Sequence, residues 1–182
     1  MNLPNLITLL RIFLIPVFIL VFLTPTASRS LAAAVIFLFA SLTDLMDGYL
    51  ARRWGQITKL GKFLDPIADK LLVLAALILL VDFQRVSSWI AIVIIGRELA
   101  VTGLRAIASS SGIVIAADEA GKYKMVIQTI SVALLILGYK IGYINFHVWG
   151  TFLLWISMIL AILSGVQYFM KFLNQINSVR MK

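Results

Sequence analysis

The chain contains no cysteine, which excludes disulfides, thiolate chemistry and Cys-ligated zinc. Charge is also scarce: 13% of the 182 residues are charged and 62% are hydrophobic, with a mean hydropathy of +1.02. A soluble domain is nearer half apolar and a quarter charged. The numbers therefore exclude a soluble globular enzyme, a disordered chain and a fibrous repeat, and an integral membrane protein remains. Internal repeats and low-complexity tracts are absent as well. The charge that exists is lopsided, with 16 Lys+Arg against 8 Asp+Glu, formally +8. In a membrane chain that excess belongs to cytoplasmic loops and to attraction for anionic lipid headgroups. The basic residues are dispersed among apolar runs, so no nucleic-acid partner is expected.

Six apolar runs are legible, over about 3–23, 31–54, 60–81, 87–108, 122–143 and 147–173, each near the roughly 20 residues that a spanning helix needs. The expected fold is an all-α integral membrane protein, six transmembrane helices in one bundle, with 1–182 a single domain. Arg11 lies inside the first run rather than before it, unlike the charge of a secretory signal, so the first helix is read as retained. With six spans both termini share a side. That side receives Arg52, Arg53, Lys59, Lys62, Arg105, Lys122, Lys124, Lys171, Arg180 and Lys182, ten basic residues, against three on the other, Arg29, Arg85 and Lys140. Basic residues stay on the cytoplasmic side, so both termini are expected there, in a multi-pass protein of the cell membrane. Trp89, Trp149 and Tyr143 fall near helix ends on the opposite face, where interfacial anchors belong. His147, the only histidine, reads as a surface residue on that same face.

Acids inside apolar runs are costly, about 2.5–3.5 kcal/mol for Asp at a helix centre on insertion scales. Four of them form a pattern. Asp44 and Asp47 are three apart on the second helix, and Asp65 and Asp69 four apart on the third. Each pair projects from one side of its helix. A short connection makes the two helices antiparallel neighbours, so the four carboxylates are expected at one level, about 10–15 Å below the cytoplasmic end. Ion pairs with Arg52, Arg53, Lys62 and Lys70 are one way to compensate them. Divalent cations are the other. The donors are all oxygen, which suits two Mg²⁺ or Mn²⁺ ions better than zinc, and paired metals serve phosphoryl chemistry. Gly48, directly after Asp47, leaves space for a ligand beside the metals.

Residues 44–69 read Asp44-x2-Asp47-Gly48-x2-Ala51-Arg52-x8-Gly61-x3-Asp65-x3-Asp69. This resembles the signature of the CDP-alcohol phosphatidyltransferase family at all eight fixed positions. The resemblance implies that Asp44, Asp47 and Asp65 ligate two divalent metals and that Asp69 ligates one of them. It implies that Asp69 is also the general base toward an acceptor alcohol, which attacks the β-phosphorus of a CDP-linked lipid and releases CMP. Gly48, Arg52 and Thr58 correspond to positions that hold the cytidine diphosphate, and Asn5 and Thr8 to positions that touch the same nucleotide. A homodimer is what the family leads one to expect.

The acceptor is addressed by the second half of the chain. Arg97 and Arg105 on the fourth helix, with Lys122 and Lys124 at the start of the fifth, form a second expected anion site near the cytoplasmic face. Ordinary positive-inside charge would also account for the lysines, and an ion pair for Arg97 with Glu98. The order Gly-Arg-Glu, a downstream Arg, then Gly-Lys-x-Lys is similar to the branch of the family that joins CDP-diacylglycerol to sn-glycerol 3-phosphate. Met125 stands where that branch has Thr. Serine, inositol phosphate and phosphatidylglycerol are the alternative acceptors. A cation or proton transporter is the alternative of another class, although transporters tend to repeat their halves and this chain does not. Gly138 and Gly142, four apart, are expected to make a close helix contact within the bundle or between protomers.

Overall fold

The computed structural model describes residues 3–54, 59–110 and 119–180, with side chains over 9–43, 68, 70–110, 123–140 and 142–175. Among the described residues there are six helices: α1 (Leu3–Phe22), α2 (Ala27–Trp54), α3 (Lys59–Asp82), α4 (Ser88–Ser110), α5 (Glu119–Leu137) and α6 (Phe146–Arg180). A two-stranded hairpin, β1 (Lys140–Ile141) with β2 (Ile144–Asn145), joins α5 to α6.

The helix boundaries follow local chemistry. Thr26 caps α2, its Oγ1 accepting a bond from the Arg29 N–H at 3.3 Å. The second helix therefore begins four residues before the apolar run that marks it. Asn145 does the same for α6, accepting from the N–H groups of His147 at 3.1 Å and Val148 at 3.4 Å. The α5 helix stops at Leu137, not at 143, because Gly138 takes φ +62° and returns its N–H to the Leu134 carbonyl at 2.9 Å. Gly142 then opens the two-residue hairpin loop with φ +57°. The two glycines thus lie outside any helix, and the helix contact expected from their spacing is not made. At its far end α6 runs on to Arg180, seven residues past the apolar run that ends near 173.

Side-chain pairs fix the directions of the helices. Arg11 meets Ala40 and Phe18 meets Phe37, so α1 and α2 are antiparallel. Phe22 at the end of α1 packs edge-on to Phe83 just beyond α3, at 5.3 Å between centroids, so these two helices finish together. Arg85 in the α3–α4 connection reaches the last carbonyls of α5. Trp89 of α4 meets Trp155 of α6, and Arg97 meets Ser164, so that pair runs parallel. The helices alternate up and down. One end, the hairpin end, collects the α3–α4 and α5–α6 connections. The other, the aspartate end, collects the start of α1, the end of α2, the start of α3 and the end of α6.

Among the described residues, the core runs through the middle and the hairpin end. Phe18, Phe22, Phe37, Leu77, Leu80 and Leu135 are fully buried. The α5–α6 pair is the closest: a Cβ on Gly150 would stand 2.8 Å from Leu135 Cγ and 3.1 Å from the Leu135 backbone nitrogen. By contrast, Phe13, Leu20, Ile92, Phe152 and Val166 are each more than half exposed. So many large exposed apolar groups would be an aggregation liability in water, and they are what a bundle turns toward lipid. Helix α6 carries the longest apolar stretch, Phe146–Gln175, with mean hydropathy 2.0, long enough to cross a membrane. Shorter apolar stretches occupy Leu9–Phe22, Ala27–Thr43 and Tyr123–Leu137 among the described residues.

Candidate active site

Helix α2 carries positions 44 and 47 in its second half, and α3 carries 65 and 69 in its first half. Both segments belong to the aspartate end, on helices that contact each other. The side chains of Asp44, Asp47, Asp65 and Asp69 lie outside the described residues. So do those of Asn5, Thr8, Gly48, Arg52 and Lys122, and all of Thr58.

What borders those positions is described. One turn before Asp44, the Ala40 carbonyl accepts two bonds, from Arg11 Nε at 3.2 Å and from Thr43 Oγ1 at 2.7 Å. Arg11 is fully buried, so a charge that broke the first apolar run is enclosed between α1 and α2 at the level where the acidic segment begins. Directly after Asp69, Lys70 donates from Nζ to Thr102 Oγ1 on α4. The Thr102 hydroxyl donates in turn to the Glu98 carbonyl at 2.7 Å, one turn back. The third helix is therefore tied to the fourth beside the last aspartate.

Around Glu98 the basic residues converge. Arg97 Nη1 is 3.0 Å from Glu98 Oε1, and Lys124 of α5 forms an ion pair with that same oxygen. Lys124 is 5% exposed, which an ammonium tolerates only when paired. Arg97 also donates from Nε to the Ala161 carbonyl at 2.8 Å and from Nη2 to Ser164 Oγ at 2.7 Å. Two turns along, the Arg105 guanidinium stands over the Tyr168 ring, 5.8 Å from its centroid. Two expected cations, Arg97 and Lys124, thus share one carboxylate, and a third, Arg105, stands over Tyr168 on the same α4–α6 face. The Tyr168 hydroxyl and Gln128 Oε1 are buried with no hydrogen-bond partner among the described residues. Among the described side chains the cluster carries more positive than negative charge and includes buried polar atoms without a partner there, and both properties favour an anionic ligand.

Ser164 and Tyr168 carried no signal in the sequence, being small or aromatic residues in an apolar helix. Lys70 did, as a charge beside an acid within a span. A separate recess of about 220 Å³, lined by Arg85, Trp89, His147 and Trp155 among others, opens at the hairpin end, beyond the far end of α3 from the aspartate segment.

The model of the CDP-alcohol phosphatidyltransferase family matches residues 1–163, and the chain belongs to that family, one of integral membrane proteins. Among curated proteins, it is 45% identical over 183 residues to the CDP-diacylglycerol–glycerol-3-phosphate 3-phosphatidyltransferase of Bacillus subtilis, covering 93% of this chain and 94% of that one. Proteins of the same name from Rickettsia felis and Escherichia coli K12 are each 38% identical. The alignments cover 92% of this chain in both cases, and 93% and 92% of theirs.

Proposed function

We propose that the chain transfers the phosphatidyl group of CDP-diacylglycerol to sn-glycerol 3-phosphate, giving phosphatidylglycerophosphate and CMP. The observation that carries the reading is the tether from Lys70 through Thr102 to the Glu98 cluster. It brings the cations suited to the acceptor's phosphate beside the helix that carries Asp69. The names of the full-length relatives support the choice of acceptor.

In this reading Asp69 takes the proton of an acceptor hydroxyl. The freed oxygen attacks the β-phosphorus of the donor, a new P–O bond forms, and the P–O bond to CMP breaks. Arg97, Arg105, Lys122 and Lys124 hold the acceptor's phosphate, so the hydroxyl meets the phosphorus in one orientation. Gly48, Arg52 and Thr58, with Asn5 and Thr8, hold the cytidine diphosphate. The donor set Asp44, Asp47, Asp65 and Asp69 is oxygen-only and fits two hard cations, Mg²⁺ or Mn²⁺. When bound, these supply charge neutralisation to the diphosphate.

The whole chain acts as one transmembrane domain with six crossings and cytoplasmic termini, as the ten-to-three basic asymmetry requires. A site one or two turns below that face serves both the lipid tail and the nucleotide head of the donor. A homodimer is the assembly this reading carries. The deciding experiment measures CMP release from CDP-diacylglycerol with glycerol 3-phosphate, serine, inositol phosphate and phosphatidylglycerol offered in turn. Release with glycerol 3-phosphate alone is expected. Release with another acceptor would overturn the acceptor, and ion flux in liposomes without any release would overturn the reaction class.

A further inference from the structure

Arg97 pairs with Glu98 on its own helix through Nη1, and the rest of its guanidinium is fixed from α6. Ala161 offers a backbone carbonyl to Nε, Ser164 a hydroxyl to Nη2, and Gly165 an absent side chain. A Cβ at Gly165 would stand 3.2 Å from Arg97 Cγ and 3.5 Å from Nε, and its three nearest neighbours are all Arg97 atoms. Ser164 is 6% exposed, so its hydroxyl is not shared with bulk solvent.

We propose that this notch of α6 presets the Arg97 guanidinium for the acceptor's phosphate, which makes Ser164 and Gly165 positioning residues for the transfer. The inference rests on the reading of Arg97 as a phosphate ligand. A long side chain held before its ligand arrives does not lose its rotamer freedom on binding, and binding is tighter by that amount. The planar fork of an arginine gains most, because two-point contact with phosphate requires a fixed plane. Two of the three fixing groups point at different nitrogens, so the notch sets the tilt of the plane as well as its place. An alanine at 165 moves that plane by a few tenths of an ångström and touches little else.

The test uses the full-length enzyme in mixed micelles, assayed by CMP release. Ser164→Ala is expected to raise the KM for glycerol 3-phosphate about tenfold, or about 1.4 kcal/mol, with kcat and the KM for CDP-diacylglycerol within about twofold of the parent. Ser164→Thr, which keeps the hydroxyl, returns the acceptor KM toward the parent value. Gly165→Ala raises it about threefold. Arg97→Ala reports on the underlying reading and raises the acceptor KM further than either. If Arg97→Ala raises it while Ser164→Ala and Gly165→Ala do not, the notch is packing only and the proposal is overturned while the phosphate reading stands. If Arg97→Ala leaves it unchanged, the reading fails and takes the proposal with it. A fall in thermal stability or kcat with no change in acceptor KM also overturns it.

Discussion

The two ends of the bundle use arginine for opposite purposes. At the hairpin end, Arg85 spends Nη1 on two backbone carbonyls, Leu135 at 3.0 Å and Ile136 at 2.6 Å, and sits over the Phe22 ring. Those carbonyls belong to the last turn of α5, where no helical N–H remains to satisfy them. Burial holds the pKa of this guanidinium below its ordinary value. At the aspartate end, Arg97 also satisfies one carbonyl, but its other donors go to a carboxylate and a hydroxyl. A carboxylate that bridges two cations can yield them to a phosphate, whereas the terminal carbonyls of a helix cannot give up their donor without cost. Partner type, more than residue type, separates the cation that closes the fold from the cation proposed to hold the acceptor. Substitutions at the aspartate end should therefore change rates and KM values, and those at the hairpin end should change stability alone.

The largest expected effect is at the aspartate end. Asp69→Asn removes the proposed base without changing shape, and kcat should fall about 10²- to 10⁴-fold. Its unfolding midpoint in detergent should match the parent. EDTA should abolish turnover of the parent enzyme, and added Mg²⁺ or Mn²⁺ should restore it. Near-normal turnover by the variant would remove Asp69 from the reaction.

The sharpest contrast comes from Gly138→Ala. The position has φ +62°, where an L side chain is strained, and a Cβ there would collide with the Arg85 guanidinium. Strain of about 1–2 kcal/mol and displacement of a half-buried cation from two helix-end carbonyls together predict about 2–4 kcal/mol of lost stability. Both KM values should stay within about twofold. Unfolding of purified protein and steady-state kinetics on one preparation check both halves. A changed acceptor KM would mean that the two ends are coupled.

Arg105→Ala follows. This arginine is exposed and stacks on Tyr168, so its loss should cost little stability. The KM for glycerol 3-phosphate should rise about tenfold, or about 1.4 kcal/mol, with the KM for CDP-diacylglycerol unchanged. An unaltered acceptor KM would remove it from the phosphate site.

How much of this could be read from the sequence depended on whether the signal was local. The six helices were legible because each is a continuous apolar run bounded by polar turns. The acidic pattern was legible because three- and four-residue spacing on neighbouring helices is visible in one short segment. Gly138 and Gly142 were misread because a four-residue interval looks alike in a helix and across a C-cap and hairpin. Only the break at Leu137 distinguishes them. Arg85 read as a loop charge, since nothing in the sequence says that a helix 50 residues later ends beneath it. Ser164 and Gly165 were invisible for the same reason. Their role exists only where α4 and α6 cross, and in an apolar helix a small residue is ordinary.

The smallest expected effect tests what closes the α5–α6 pair. Ser131 is fully buried and donates to the Gly150 carbonyl at 2.8 Å, the kind of interhelical bond that is often credited with holding membrane helices together. Measured contributions of such bonds average only about 0.6 kcal/mol, because the separated helices find other partners. At the same crossing, the absent side chain of Gly150 lets α6 approach the α5 backbone, and that approach supplies dispersion contacts along several turns. Ser131→Ala should therefore cost about 0.5–1 kcal/mol and leave kinetics untouched, since an alanine still fits the crossing. A loss well above that range, with Gly150→Ala costing less, would mean that hydrogen bonding rather than close packing closes the hairpin end. The contrast between its carbonyl-bound Arg85 and the carboxylate-bound Arg97 would then need a different physical basis.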